Sequence, residues 1–223
     1  EIAKIAQEMD ILTVGIVSLP FSFEGNKRIT QGNEGLEELK KNVDTLVVIS
    51  NDKMRSIYGN LSMSEAFGKA DDILTVAAKG IAEIITVAGY INVDFQDVNT
   101  VMRNSGVAIM GTASAEGDDR AKKAVDMALT SPLLEDGCIQ GAKHILLNIT
   151  SGSKEVTMDE ITQITDFVQT EAGSDANLIW GNCFDESLGN QIAVTIIATG
   201  FDPTDSEKKQ DDQTGVIVVP LDG

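Results

Sequence analysis

The chain has 223 residues, of which 42% are hydrophobic and 23% charged, a composition typical of one large or two modest globular domains. Its formal net charge of -18 argues against binding to nucleic acid or to an anionic membrane surface, because too few cations are available to neutralise phosphates. No run approaches the ~18 apolar residues of a membrane-spanning helix, and no signal peptide opens the sequence. We therefore expect a cytoplasmic protein without nucleic-acid partners and without direct membrane insertion.

Apolar runs alternate with polar helical patterns through the first part of the chain. The pattern predicts a helix over residues 1–9, a buried strand over 11–19, a polar helix over 26–42 and a second buried strand over 44–50. This alternation is typical of βαβ units, in which ligands lie at the carboxyl ends of the parallel strands. Because the first helix opens at Glu1 without a capping residue or an initiator Met, we interpret the chain as a fragment that lacks an N-terminal part.

A long amphipathic helix is predicted over residues 62–88. Ser62 and Glu65 form a capping box at its start, and Gly89 is expected to end it. A helix of about 25 residues is roughly 38 Å long, which is enough to cross a domain. Its apolar face is formed by residues that recur near helical spacing, namely Phe67, Ile73, Leu74, Ala77, Ile81, Ile84 and Ile85.

After the long helix the pattern predicts a second domain built from both strands and helices. A capping box of Thr157 and Glu160 opens one of its helices. Two strands in succession at the end favour an α+β domain with a mixed sheet. The predicted elements are a helix over 96–103, a strand over 106–115, a helix over 117–130, a strand over 143–151, a helix over 158–172, and strands over 176–184 and 190–201.

The cysteine and histidine residues indicate neither a metal centre nor nucleophilic catalysis. Cys138 and Cys183 lie far apart without metal-ligand spacing, and we interpret them as two structural thiols of a reducing compartment. His144 is the only histidine and stands at the start of a predicted strand without a nucleophile partner, so we take it as structural. We therefore predict no metal ligands in this sequence.

The acidic loop after the long helix is the strongest candidate for chemistry. Asp94 and Asp97 stand three residues apart and follow the amide of Asn92, a set that could hold a water molecule or a cation. An EF-hand calcium loop that began at Asn92 would need Gly and Glu where the sequence has Asp97 and Arg103, so that type of site is excluded. Spacing alone favours the simpler alternative, in which Asp94 or Asp97 caps the next helix.

Further candidates lie near the carboxyl ends of the first two predicted strands. Glu24 and Arg28 place a carboxylate and a guanidinium one helical turn apart, although from spacing alone a solvated ion pair is the simpler explanation. Asn51 resembles part of the guanine-reading motif of switch-type GTPases, but Met54 stands where that motif has Asp. The sequence contains no glycine-rich loop with the spacing that cradles phosphates.

Seven segments follow one another in an order that is itself informative. They are ILTVGIVSLPFSFEGNKR, NDK, AFGKADDIL, GIAEIIT, NVDFQDVNTVM, GTASAEGDDRAKKA and SPLLED. Taken together, they resemble the FtsZ family of bacterial tubulin-like division GTPases over nearly all of residues 1–202, and NVDFQDV after a long helix is the most specific of them. Tyr90 and Gln96 replace residues that are commoner in the family's acidic loop, and neither change removes an acid.

The resemblance implies a tubulin-like fold of class α/β plus α+β. Residues 1–61 would form the C-terminal remainder of the GTP-binding domain, and residues 62–88 the central helix. Residues 89–202 would hold the acidic loop and a C-terminal domain with a mixed sheet. Residues 203–223 would form a tail that is either flexible or an edge strand.

The resemblance also implies a role for each candidate residue near the first strands. Glu24 and Arg28 would contact the sugar and phosphate side of a bound nucleotide. Asn51 and Asp72 would form hydrogen bonds with guanine, and Phe67 would stack on it. The nucleotide would be GTP or GDP, with Mg²⁺ in the intact protein. The family's phosphate loop is missing from this sequence, so we expect the fragment alone to hold no nucleotide tightly and to hydrolyse none.

For the acidic loop the resemblance implies catalysis across a subunit contact. Asn92, Asp94 and Asp97 would orient or activate the water that attacks GTP held by the next protomer. The main partner would be the protein itself, arranged head to tail in filaments at the division site, because such contacts generate open polymers. Cell-division regulators and membrane anchors are further possible partners, but the tail lacks the family's anchor-binding peptide. The alternative function is a non-catalytic acidic scaffold with the same fold.

Overall fold

Six strands and six α-helices make up the part of the protein that the computed structural model describes, which is residues 1–52, 62–87, 89–131 and 139–201. The helices are α1 (Ile2–Glu8), α2 (Asn26–Lys40), α3 (Met63–Thr86), α4 (Phe95–Met102), α5 (Arg120–Leu129) and α6 (Met158–Ala172). The strands are β1 (Val14–Leu19), β2 (Thr45–Ser50), β3 (Gly106–Ala115), β4 (His144–Ser151), β5 (Asn177–Phe184) and β6 (Ile192–Thr199). The predicted elements within these ranges are confirmed in type and order.

Some predicted element ends were wrong for local reasons. The predicted strand at 11–19 begins only at Val14, because Thr13 instead bonds to Asp44, whose side chain accepts its backbone N–H at 2.9 Å. The helix predicted from residue 117 begins at Arg120, because Gly117 and Asp119 adopt φ angles of 87° and 61°. Such positive angles are incompatible with a right-handed helix.

The strands form one sheet in the order β1-β2-β3-β6-β4-β5. The pair β1 and β2 is parallel, as the βαβ pattern predicts, and α2 connects the two strands. The first residues of β3 pair in parallel with β2, and its remainder pairs antiparallel with β6. The sheet is therefore mixed, as predicted. The last two strands of the chain are not neighbours, however, because β4 lies between β5 and β6.

The central helix α3 has the predicted start and a different end. Ser62 and Glu65 form the predicted capping box, in which the Ser62 backbone N–H donates to Glu65 Oε2 at 2.8 Å. Helix α3 ends at Thr86, and Val87 is already extended. The prediction that Gly89 ends the helix was wrong, because Gly89 lies three residues beyond Thr86. Gly89 serves close packing instead, because a Cβ atom there would overlap the backbone carbonyl of Asn182.

A buried ion pair fixes the start of α5 against α6. The guanidinium of Arg120 is 1% exposed and forms two bonds to Glu160, Nε to Oε1 at 2.6 Å and Nη2 to Oε2 at 3.0 Å. Its remaining donors reach the backbone carbonyls of Lys154, Glu155 and Asn190. Because each donor has a partner, the cost of burying the charge is offset. The same Glu160 completes the predicted capping box with Thr157.

Two further predictions concern single polar side chains. Cys183 is a buried free thiol whose Sγ contacts Asn148 Oδ1 at 3.3 Å, and burial raises its pKa, as suits a structural residue. Cys138 lies outside the described residues. His144 is half-buried at the start of β4.

Among the helices of the described ranges, none combines the length and apolar character that a membrane crossing requires.

Candidate functional site

Three phenylalanines cluster at the carboxyl end of β1. Phe21 is buried and stacks on Phe23 with ring centroids 4.8 Å apart, and the ring of Phe67 meets it edge-on at 5.3 Å. Phe67 lies in the second turn of α3 and is 41% exposed, although the helical pattern placed it on the apolar face. An exposed aromatic ring held by a buried one can stack on a planar ligand. Phe23, which is 50% exposed, was not among the predicted residues.

Asn51 directly follows β2, at the same end of the sheet as the phenylalanines, because β1 and β2 are parallel. Its side chain is buried, and within the described residues its Oδ1 atom has no hydrogen-bond partner. A buried acceptor without a partner costs on the order of 1–3 kcal/mol, so such an atom is a candidate for contact with a ligand. The neighbouring Asp52 carboxylate accepts the backbone N–H of Ser22 at 3.0 Å, which ties the end of β2 to the turn after β1.

Glu24 and Arg28 flank the start of α2 without pairing with each other. The Glu24 carboxylate accepts the backbone N–H of Phe21 at 2.9 Å and so stabilises the 3₁₀ turn Ser22–Glu24. Arg28 is exposed in the first turn of α2. Since no salt bridge joins these two described residues, the solvated ion pair that their spacing favoured is not formed.

Asp72 lies on α3, five residues after Phe67. Its carboxylate is exposed and approaches the Lys69 ammonium at 3.5 Å, an i,i+3 pair in the helix. Exposed pairs of this kind contribute little to stability, so Asp72 can exchange this partner for another at small cost. Its assignment as a ligand of guanine stays a prediction.

The three candidate residues of the acidic loop differ in their contacts: Asn92 stabilises a turn, Asp94 caps a helix, and Asp97 has no side-chain partner among the described residues. Asn92 Oδ1 accepts the backbone N–H of Gly89 at 2.7 Å. Asp94 caps α4, and its Oδ1 accepts the backbone N–H of Gln96 at 3.4 Å, which is the capping alternative left open by the sequence. Asp97 lies in the first turn of α4 and forms no side-chain hydrogen bond or ion pair with the described residues. The catalytic role of the three residues stays a prediction.

No group of three or more His, Cys, Asp or Glu side chains within the described ranges is arranged to hold a metal ion.

The aromatic cluster and the acidic loop lie far from each other. From Phe67, which touches Phe21, the helix runs on to Thr86, a rise of about 28 Å at 1.5 Å per residue. The loop follows that distant end. The helix that follows the loop, α4, ends beside the beginning of β2, where the Met102 carbonyl accepts the hydroxyl of Thr45. Asn51 follows the opposite end of β2. One molecule therefore does not bring these two groups of residues together.

Two family models match the chain. The one described as FtsZ family, C-terminal domain, matches residues 106–202. The one described as Tubulin/FtsZ family, GTPase domain, matches residues 1–59. Among curated proteins, the cell division protein FtsZ of Porphyromonas gingivalis is 47% identical over 203 residues. That match covers 90% of this chain and 44% of the relative, so the chain spans less than half of the relative's length.

Solved structures of similar proteins share the fold. An empty FtsZ dimer from M. jannaschii has a TM-score of 0.82 at 42% identity, with 89% of this chain and 57% of that chain covered. The GDP-bound CetZ1 monomer from Haloferax volcanii has a TM-score of 0.70 at 19% identity, with 95% and 64% covered, and supports the fold alone. These structures confirm the predicted tubulin-like fold. The family models and the similar proteins together show that the chain belongs to the FtsZ family.

Proposed function

We propose that this chain is part of a tubulin-like GTPase that assembles head to tail at the division site in the cytoplasm. In this proposal Asn51 at the carboxyl end of β2 and Phe67 of α3 bind guanine nucleotide. The acidic loop then serves the GTP that the next subunit holds. The name of the Porphyromonas gingivalis relative, a cell division protein, and the GTPase-domain match over residues 1–59 support this assignment.

The nucleotide-binding half of the proposal assigns one task to each side chain. The unpaired Oδ1 of Asn51 accepts an N–H group of guanine, and Asp72 accepts another. The exposed ring of Phe67, backed by Phe21, stacks on the base. Glu24 and Arg28 contact the sugar and the phosphates. Mg²⁺ would accompany the nucleotide in the intact protein, where phosphates supply many of its ligands, and we assign no residue of this chain to it.

The hydrolytic half assigns the acidic loop to the attacking water. Asp97, whose carboxylate has no partner among the described residues, accepts a hydrogen bond from that water, while Asn92 and Asp94 complete its surroundings. The water oxygen bonds to the γ-phosphorus as the bond to the β–γ bridging oxygen breaks, leaving GDP and inorganic phosphate. Positioning and electrostatics supply most of the catalysis in phosphoryl transfer, so a fixed carboxylate is a sufficient contribution from this chain.

One observation carries the proposal, namely the length of α3 between the two groups of residues. With about 28 Å of helix between Phe67 and Thr86, the acids have no access to a nucleotide bound at the other end of the same molecule. A loop and a nucleotide on opposite ends meet only when subunits stack head to tail. Hydrolysis then depends on assembly, and the contact is of the heterologous kind that forms filaments.

The experiment uses a hybrid, in which the matched part of the Porphyromonas gingivalis protein is replaced by the matching 203 residues of this chain. The unmodified relative is the positive control. In the hybrid, Asp97→Ala should lower GTP turnover by about 100-fold or more, as expected for loss of a positioned acid or base, and leave GTP binding unchanged. Asp166→Ala, at an exposed acid of α6, is the matched control. Turnover retained by the Asp97 variant would remove this residue from the mechanism.

A further inference from the structure

The acidic loop is attached to the open edge of β5, the last strand of the sheet among the described elements. The backbone N–H of Asn182 donates to the carbonyl of Ile91 at 2.8 Å, and these residues form an antiparallel bridge. Val93 next to them is buried. The loop that carries Asn92 and Asp94 is therefore held as a short extra strand segment beside β5.

This attachment requires a glycine on the β5 side. A Cβ atom on Gly181 would lie 2.6 Å from Cγ2 of Val93 and 3.1 Å from the carbonyl oxygen of Ile91. Both distances are shorter than ordinary van der Waals contact, so a side chain at position 181 requires Val93 and the loop backbone at Ile91 to shift. Gly181 has no positive φ, so the space around it and not its backbone conformation demands glycine.

A second contact holds the loop from the side. The Tyr90 hydroxyl donates to Glu155 Oε1 at 3.1 Å, across 65 residues of sequence. The position of Glu155 is itself fixed, because its backbone carbonyl accepts Nη2 of the buried Arg120 at 2.8 Å. Tyr90 thus connects the loop to the segment whose backbone carbonyls bind the buried Arg120.

We propose that Gly181 and Tyr90 are positioning residues, which fix the acidic loop at two points, on β5 and on the segment between β4 and α6, so that Asp97 meets the neighbouring subunit's nucleotide in one defined position. The role of the loop rests on the proposed function, whereas the two-point attachment does not. Tyr90 is 79% exposed in the free chain. A subunit docked over the loop would exclude water from the bond to Glu155 and strengthen it, so the attachment tightens when the catalytic contact forms.

The first test measures the attachment in the chain itself, without nucleotide or polymer. The sequence has two tyrosines, so Tyr58→Phe leaves Tyr90 as the only phenol, and its ionisation is followed by ultraviolet absorbance. The hydrogen bond to Glu155 raises the pKa of Tyr90. Glu155→Ala should therefore lower the titration midpoint, and so should Gly181→Ala, because it moves the loop away from Glu155. The matched controls, Glu34→Ala and Gly35→Ala, should leave it unchanged. An unchanged midpoint in Glu155→Ala would overturn the attachment at Tyr90.

The second test measures turnover and GTP affinity in the hybrid protein. Gly181→Ala should lower kcat by about 10- to 100-fold without changing GTP binding, because small displacements of a catalytic group have effects of this size. Tyr90→Phe should lower kcat less, and Glu155→Gln, which keeps an acceptor oxygen, should retain more activity than Glu155→Ala. If Gly181→Ala does not fold, as judged by its thermal melt, Tyr90→Phe and the Glu155 pair decide the question.

The outcomes separate the two proposals. Normal kcat in Gly181→Ala and Tyr90→Phe, together with inactivity of Asp97→Ala, would overturn the positioning role and leave the proposed function standing. Full activity of Asp97→Ala would overturn both. A fall in kcat for the positioning variants, with KM and nucleotide affinity unchanged and with partial rescue by Glu155→Gln, is the result that the structure leads us to expect.

Discussion

At the scale of single residues, the proposed nucleotide site depends on an atom that has no hydrogen-bond partner among the described residues. Asn51 Oδ1 is buried at the end of β2, and none of the described residues pairs with it, whereas the carboxylate of Asp52 beside it accepts the Ser22 backbone N–H. A buried amide oxygen without a partner discriminates strongly against ligands that lack a hydrogen-bond donor at that point. With such a ligand the oxygen stays unpaired and its full desolvation cost remains.

We therefore predict that Asn51→Ala in the hybrid lowers the affinity for GTP by about 10- to 100-fold, the equivalent of one buried hydrogen bond. Equilibrium binding of a fluorescent GTP analogue measures this change. Asn33→Ala, at an exposed position of α2, is the matched control and should bind normally. Unchanged affinity in the Asn51 variant would mean that the amide does not read the base.

The sequence indicated some of these residues and concealed others for a physical reason. Asn51 was predicted because it follows an apolar run typical of a buried strand, and strand ends are visible in a pattern. Phe23 was missed because its stacking on Phe21 depends on the turn Ser22–Glu24, whose geometry is set by a contact between Glu24 and the Phe21 backbone. Likewise, the spacing of Asp94 and Asp97 does not show which of them caps α4. In the structure Asp94 is the cap, and the Asp97 carboxylate has no partner among the described residues.

At the scale of elements, contacts between segments distant in sequence determine features that the hydrophobic periodicity does not predict. Capping boxes at Ser62 and Thr157 and the helices that follow them could be predicted, because the signals are local. The role of Gly89 could not, since its reason lies in the Asn182 carbonyl about ninety residues further along the chain. The same holds for the ion pair of Arg120 with Glu160, which joins α5 and α6.

That ion pair predicts how stability depends on pH. The Arg120 guanidinium beside Glu160 is the main reason that the pKa of this carboxyl falls from 4.5 to about 2. The folded state therefore binds this proton more weakly than the unfolded state does. The stabilisation, about 3 kcal/mol, is fully present above pH 4.5 and is lost as the pH falls from there towards 2.

Denaturant unfolding of the chain across this pH range tests the prediction. Glu160→Gln should lower the free energy of unfolding at neutral pH by about 3 kcal/mol, because Arg120 is left buried without its counter-ion. The same variant should lose much of the acid dependence between pH 4.5 and 2. Glu171→Gln, at an exposed position of the same helix, should keep both. Equal acid dependence in the Glu160 variant and the unmodified chain would disprove the assignment.

At the scale of the whole molecule, one helix separates the two groups of residues that we propose as halves of an active site. The sheet is continuous from β1 to β5 through the shared strand β3, so the ends of α3 are held apart by a single framework. The order of elements and the mixed sheet could be predicted from the sequence. The position of β4 between β5 and β6 could not, because strand neighbours that are distant in sequence leave no local signal. The division of the chain into domains stays a prediction.

Complementation in trans is the experiment that shows whether the acidic loop acts on a nucleotide held by another molecule. The hybrid with Asp97→Ala can bind GTP but lacks the acid, and the unmodified chain in excess offers that acid from outside. We predict that adding the chain restores phosphate release, whereas adding the chain with Asp97→Ala does not. No restoration by the unmodified chain, or equal restoration by both chains, would contradict the account.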